Sequence, residues 1–177
     1  MATLAWLSLL WFYWDYEKAI ADFNASDSLT TYLDYPQGHS VDFWRGIAYL
    51  RAKDYDNSIA YWDKHITKET EDSGEEWVEL EAFLYTGIAY YESKNQKKAL
   101  EDFDKVIQYH KQSADAKYYK AHILTEFGET GQALEMVNQA FEDFNNGYFN
   151  NRPYVETLLQ IYLEDLEELK TRIIASN

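Results

Sequence analysis

Four histidines, His39, His65, His110 and His122, are the side chains best suited to acid–base work or metal ligation near neutral pH. Their spacing builds neither. No two of them frame a His-Glu-x-x-His pair, and no carboxylate falls at ligand spacing to complete a metal centre. Carboxylate pairs such as Glu75-Glu76 and Glu167-Glu168 abound, but in a chain of net charge −15 they read as solvated helix faces rather than as a general acid and base. A glycine-rich phosphate loop, a Gly-x-Ser-x-Gly elbow and a dinucleotide fingerprint are all missing. The sequence therefore predicts no catalytic residue, no cofactor and no metal, and a chain that is not an enzyme. An enzyme or small-ligand carrier built on aromatic contacts stays as an outlier.

Aromatic side chains dominate instead, with 6 Trp, 16 Tyr and 9 Phe. They bury large area at low entropic cost and, in Tyr and Trp, keep a polar handle, so the chemistry they offer is recognition. The charge selects among partners. A net −15 repels phosphate and excludes nucleic acid, leaving protein or peptide partners of apolar or basic character. At 177 residues the chain predicts one domain with a continuous core. Only two prolines, Pro36 and Pro153, interrupt it, as expected of long helices. No cysteine is present, so no disulfide framework or thiolate site forms, and the redox compartment stays open with the balance leaning to the cytoplasm over the periplasm or secretion.

The elements that must position the aromatics show themselves by repetition. Phe83-Leu84-Tyr85-Thr86-Gly87-Ile88-Ala89-Tyr90-Tyr91, with Ala99 and Phe103 after it, is answered by Tyr118-Tyr119-Lys120-Ala121-His122, with Ala133 and Val137 after it. Gly87 to Ala121 and Ala99 to Ala133 are both intervals of 34 residues. Gly46, Tyr49, Ser58 and Trp62 keep the internal offsets of Gly87, Tyr90, Ala99 and Phe103, and Leu7, Leu10, Ala19 and Phe23 keep them at the start. Small residues at these places let two helices approach, and large ones fill the space between pairs.

On these residues the chain resembles the tetratricopeptide repeat family, whose unit is about 34 residues, over most of residues 1–142. The resemblance implies an all-α helical solenoid of about four antiparallel helix pairs and a C-terminal capping helix. The repeats are placed at 1–33, 39–72, 80–113 and 114–147, and the cap at 153–175, in a single domain spanning 1–177. Arg45, Thr86 and Lys120 stand where the family usually carries leucine or a similar residue, and the fourth repeat has Leu124 and Val137 in place of aromatics.

Local signals set the joints. Helices are expected at about Thr3–Tyr13 and Asp15–Ser28, with Asp15 as cap; at Val41–Lys53 and Tyr55–Ile66; at Trp77–Ser93 and Gln96–His110; and at Ala114–Phe127 and Thr130–Phe144. A connector, Leu29–Ser40, holds Pro36 and Gly38. The insertion Thr67–Glu76 reads as a solvated acidic loop between repeats, or alternatively as one whose charge would steer a basic partner, and it lacks the ligand spacing of a calcium loop. Pro153 opens the last helix, with Val155, Leu158, Leu159, Tyr162, Leu166, Leu169 and Ile173 on one stripe. The apolar stretch Ala2–Trp14 is too short for a transmembrane span and lacks the basic flank and cleavage site of a signal peptide.

The family resemblance implies a scaffold that binds a partner peptide or helix in a concave groove lined by the first helix of each pair. Its groove positions map onto Phe43, Trp44, Ile47 and Arg51; onto Leu84, Tyr85, Ile88, Tyr91 and Glu92; and onto Tyr118, Tyr119, His122 and Glu126. Here they are aromatic, aliphatic or acidic, so the carboxylate-gripping activity of the chaperone-associated branch is not implied. The alternative is a structural, self-assembling chain in which Trp6, Trp11 and Trp14 of the apolar N-terminal segment form a homodimer.

Overall fold

The computed structural model describes residues 8–29, 38–152, 156–157 and 159–176. Its regular elements are helices: α1 (Tyr16–Leu29), α2 (Val41–Arg51), α3 (Tyr55–Ser73), α4 (Leu80–Glu92), α5 (Gln96–Tyr109), α6 (Ala114–Glu126), α7 (Thr130–Asn145) and α8 (Leu163–Ala175). A π-helical turn, Leu9–Tyr13, precedes α1, and a 3-10 turn, Glu75–Trp77, separates α3 from α4. Contacts cluster into two compact units, Met1–Ala89 and Tyr90–Asn177, with the division inside α4.

Caps fix where several helices begin. Asp15 Oδ1 accepts from Lys18 N (3.2 Å), Ser40 Oγ from Phe43 N (3.1 Å), Asp54 Oδ1 from Asn57 N (3.3 Å) and Ser113 Oγ from Ala116 N (3.4 Å). Each satisfies one of the amide groups that a helix start leaves without an intrahelical acceptor. The ends of α2, α4, α6 and α7 share one closure. Lys53, Lys94, Gly128 and Gly147 take left-handed φ values of 61°, 67°, 75° and 84°. The amide after each bonds back five residues: Asp54 N to Tyr49 O, Asn95 N to Tyr90 O, Glu129 N to Leu124 O and Tyr148 N to Asp143 O, all 2.8–2.9 Å. This is the Schellman closure, and a lysine pays roughly 1–2 kcal/mol where glycine pays nothing for it.

In the first unit α2 packs against α3, and α1 against α2. Gly46 on α2 lies directly under the Trp62 indole of α3, and Ser58 Oγ donates to Gly46 O at 2.8 Å. Phe43, Trp44, Trp62 and Phe83 are buried to 0–1% exposure. In the second unit α6 packs on α7, α5 on α6, and α8 on both α7 and α6. Its core holds Ala121, Leu124, Ala133, Val137 and Ala140, closed from the α8 side by Leu166, Leu169 and Ile173.

Four expectations change. The acidic insertion is not a loop, because α3 continues to Ser73; Lys68 pairs with Asp72 one turn on (2.5 Å), and Gly74, at φ 105°, ends the helix. The last helix starts at Leu163 rather than at 153, because Tyr162 is extended and its N–H is taken by the Asp165 carboxylate at 2.7 Å. Leu159 before it sits at φ 61°, while Pro153, Val155 and Leu158 lie outside the described residues. The N-terminal stretch is a π-helical turn where described, not a regular helix: Leu10 and Trp11 turn into the unit, and Trp14 closes it at φ 54°. Trp14 and Asp15 both return N–H bonds to Leu9 O. The connector's residues 30–37 and the segment 1–7 lie outside the described residues, and Leu29 belongs to α1.

Candidate interaction site

Helix α6 presents Tyr118, Tyr119, His122 and Glu126 at the spacing that puts the first, third and fourth on one face. The end of α4 adds Tyr91 and Glu92, exposed or half-buried where the Lys94 turn stops the helix. Arg172 reaches the same place from α8. These residues form one polar–aromatic cluster within the second unit. The Tyr91 hydroxyl donates to Glu126 Oε1 at 3.2 Å, and Gln96 Nε2 donates to the other oxygen of that carboxylate. Arg172 Nη2 donates to His122 Nδ1 at 2.7 Å, which places the imidazole proton on Nε2. The rings of Tyr118 and His122 meet edge-to-face at 4.6 Å, Tyr91 and Tyr119 at 5.7 Å, and Tyr118 and Tyr119 at 5.2 Å. Phe103 of α5 stacks under Tyr119 at 5.6 Å.

The electrostatics follow from this packing. Burial, and secondarily the Arg172 charge, push His122 down to about 4. Burial pushes the Tyr91 phenol up to about 12, with the Glu126 charge adding, and Tyr118 likewise up to about 12, with Asp165 adding and Arg172 opposing. Burial holds Tyr119 well above the ordinary phenol value. At neutral pH the face therefore offers neutral phenols and a neutral imidazole beside the Glu92 and Glu126 carboxylates and one guanidinium. It has hydrogen-bonding groups and apolar area, but no activated nucleophile.

His122 makes a pH prediction. Its folded value lies below the ordinary 6.5, so the unfolded chain takes the proton first. Stability is then full above about pH 6.5 and is lost as pH falls towards about 4, by about 1–2 kcal/mol after allowance for partial exposure. Asp115, raised to about 6 by burial, works in the opposite sense, adding stability as pH falls through that value. Urea unfolding at pH 7 and 4.5, compared between the parent chain and His122→Gln, isolates the histidine: the variant is expected to lose less stability on acidification.

The base of the face is held by buried polar contacts. Lys117 Nζ meets Asp143 Oδ2 at 2.5 Å with both side chains 8% exposed, and Ser113 N donates to the same oxygen at 2.9 Å. Asp115 Oδ2 accepts from Asn150 N at 2.8 Å. These tie the first turn of α6 to the end of α7 and the segment after it.

The candidates in the first unit fare differently. Phe43, Trp44, Ile47, Leu84, Tyr85 and Ile88 are 0–5% exposed. Trp44 meets Trp11 edge-to-face at 6.0 Å, and Tyr85 stacks on Trp62 at 5.9 Å. Packing consumes these groove positions, and a side chain with no surface gives a partner nothing to touch. Arg51 keeps partial exposure, but its Nε donates to the Tyr16 hydroxyl at 3.1 Å. Of the N-terminal tryptophans, Trp6 lies outside the described residues, Trp11 is buried at 8% and Trp14 is 56% exposed.

One cluster escaped sequence reasoning. His39 Nδ1 lies 3.2 Å from Glu79 Oε1, His65 Nε2 lies 3.1 Å from Glu79 Oε2, and Ser40 Oγ lies 2.9 Å from His65 Nδ1. Burial alone would raise the Glu79 carboxyl, but the two imidazole contacts outweigh it and hold it well below the usual carboxylate range. The serine–histidine–glutamate order resembles a hydrolytic relay, yet Ser40 is 4% exposed and its oxygen already caps α2. It pins the end of the connector to α3 and the start of α4. Among the described residues no group of three or more His, Asp or Glu side chains is arranged to hold a metal ion, and no helix is long and apolar enough to cross a membrane.

Comparison with known proteins agrees with the helix pairing. Residues 81–113 match the tetratricopeptide repeat model. A MamA double mutant, MamA RS-1 ArsTM, superposes with a TM-score of 0.66 at 14% identity, over 82% of this chain and 75% of that one. A second MamA crystal structure gives 0.59 at 14% identity, over 92% and 88%. No curated protein matches the chain in sequence. Residues 81–113 thus carry a tetratricopeptide repeat, and the chain shares the helical fold of these structures.

Proposed function

We propose that the chain is a protein-interaction scaffold without catalysis of its own, and that the face formed by Tyr91, Glu92, Tyr118, His122 and Glu126 receives a partner peptide or helix. The carrying observation is that Tyr91, Tyr118 and His122 stay partly exposed and Glu92 and Glu126 exposed, whereas the equivalent positions of the first unit, Arg51 excepted, are buried. Partly exposed tyrosines held rigid by ring contacts lose little entropy on binding and supply both area and hydroxyls. Glu92 and Glu126, on a chain of net charge −15, favour a partner with basic residues beside its apolar ones.

A photo-crosslinker placed at the exposed Glu92 or Glu126 tests this reading. Expected is capture of a discrete partner whose yield falls about tenfold or more in Tyr91→Ala and Tyr118→Ala variants that remain folded. Equal capture from a crosslinker at Glu135, on the exposed side of α7, or capture undiminished by both substitutions, would overturn the assignment.

A further inference from the structure

In the first unit an aromatic turn, Leu9–Tyr13, precedes α1. The π-helical turn is anchored by Leu10 at 0% and Trp11 at 8% exposure, while Phe12, Tyr13 and Trp14 are 69%, 74% and 56% exposed. These three consecutive large aromatics, at a turn that a left-handed tryptophan closes, are left uncovered by the described residues. Beside them opens a cleft of about 410 Å³ lined by Tyr13, Trp14, Asp15, Tyr16, Glu17 and Ala52. Among the described residues its lining comprises three aromatic and two acidic residues with Ala52, and no cationic one.

The carboxylates are not equivalent. Asp15 is occupied: it caps α1 and holds Lys18 Nζ at 2.5 Å. Glu17 is exposed and makes no hydrogen bond or ion pair among the described residues. Tyr16 is braced from outside the lining by Arg51, whose guanidinium sits 5.5 Å from the ring centre. The cleft thus brings aromatic residues together with a carboxylate that has no partner among the described residues, in a strongly acidic chain, which is the complement of a cation carried on an apolar stem.

We infer that this cleft receives an arginine or lysine side chain from a partner protein, its stem against Trp14 and Tyr13 and its charge towards Glu17. The site lies wholly in the first unit, so it stands or falls separately from the face proposed above. An arginine peptide is the natural probe: Ac-Gly-Arg-Gly-Arg-Gly-NH2 titrated into the ¹⁵N-labelled full chain, beside the same peptide with glutamate in place of arginine. Expected are saturable shifts of the Trp14 indole N–H and of the amides of residues 13–17 with the arginine peptide alone, weakening as salt rises. Glu17→Gln and Trp14→Ala should each weaken binding by about two- to fivefold. Glu17→Gln, at an exposed and uncommitted position, keeps the test valid should Trp14→Ala disturb the turn. An equal response to the glutamate peptide, or affinity unchanged by both substitutions, would overturn the inference. So would a concentration-dependent doubling of mass that produces the same shifts without peptide, since the aromatics would then be meeting a second copy of the chain.

Discussion

Lys117→Ala is expected to destabilise the folded chain by about 3–5 kcal/mol, because it strands the Asp143 carboxylate in a place water does not reach. The two side chains are each 8% exposed and meet at 2.5 Å. Truncating the lysine leaves Asp143 with the Ser113 amide at 2.9 Å, which satisfies one direction but not the charge. The loss is measurable as a fall in the urea midpoint at unchanged slope. Lys117→Met with Asp143→Asn should recover most of it, since the amide oxygen can still accept from Ser113 and no charge remains buried. A single-variant cost below about 1 kcal/mol would mean that the pair behaves as a solvated one. The pair also matters to function, because Ser113 and Lys117 set the start of the helix that displays Tyr118, His122 and Glu126.

Gly46→Ala is expected to cost about 3 kcal/mol, the upper end for overpacking by one carbon. A Cβ at this position would stand 2.5 Å from Trp62 Cε2 and 2.7 Å from Cδ2 and Nε1. The obstacle is a rigid bicyclic ring at 0% exposure, held by Phe43 at 4.8 Å and Tyr85 at 5.9 Å, so it cannot swing aside as the end of a flexible chain could. Trp62 Nε1 has no hydrogen-bond partner among the described residues, so shrinking the ring to phenylalanine surrenders none of their bonds. In the background of Trp62→Phe, Gly46→Ala should therefore cost markedly less. Additive losses in the double-mutant cycle would show that the clash lies elsewhere.

That contact also shows how the sequence could be read. Gly46, Ala99, Ala121 and Ala133 announce where helices touch, because close approach excludes a larger side chain, and Asp15 announces a helix start because its carboxylate is a short-range acceptor. Such signals are local or periodic. Burial at the groove positions is neither: Trp44 and Tyr85 stand at places where the family exposes a side chain, but here they are covered by Trp11 and Trp62. The length of α3 was hidden for a related reason, since Thr67–Ser73 has the composition of a loop yet continues the helix, with a Lys68–Asp72 pair along it. Arg172 and the His39–Glu79–His65 cluster had no signal at all. His39 and Glu79 are 40 residues apart, and only the fold makes them neighbours.

The four matching helix closures have a consequence for how such a chain can change over generations. Lys53, Lys94, Gly128 and Gly147 hold one backbone shape with two different residue types, and the bonds that lock it run between main-chain atoms. A corner specified by peptide groups tolerates spelling errors in the side chains. Mutation can therefore rewrite the letters at a corner, and with them the surface charge displayed there, while the course of the chain stays put. A helical array built this way can change widely in sequence and still keep a stretch, here residues 81–113, that matches the repeat model.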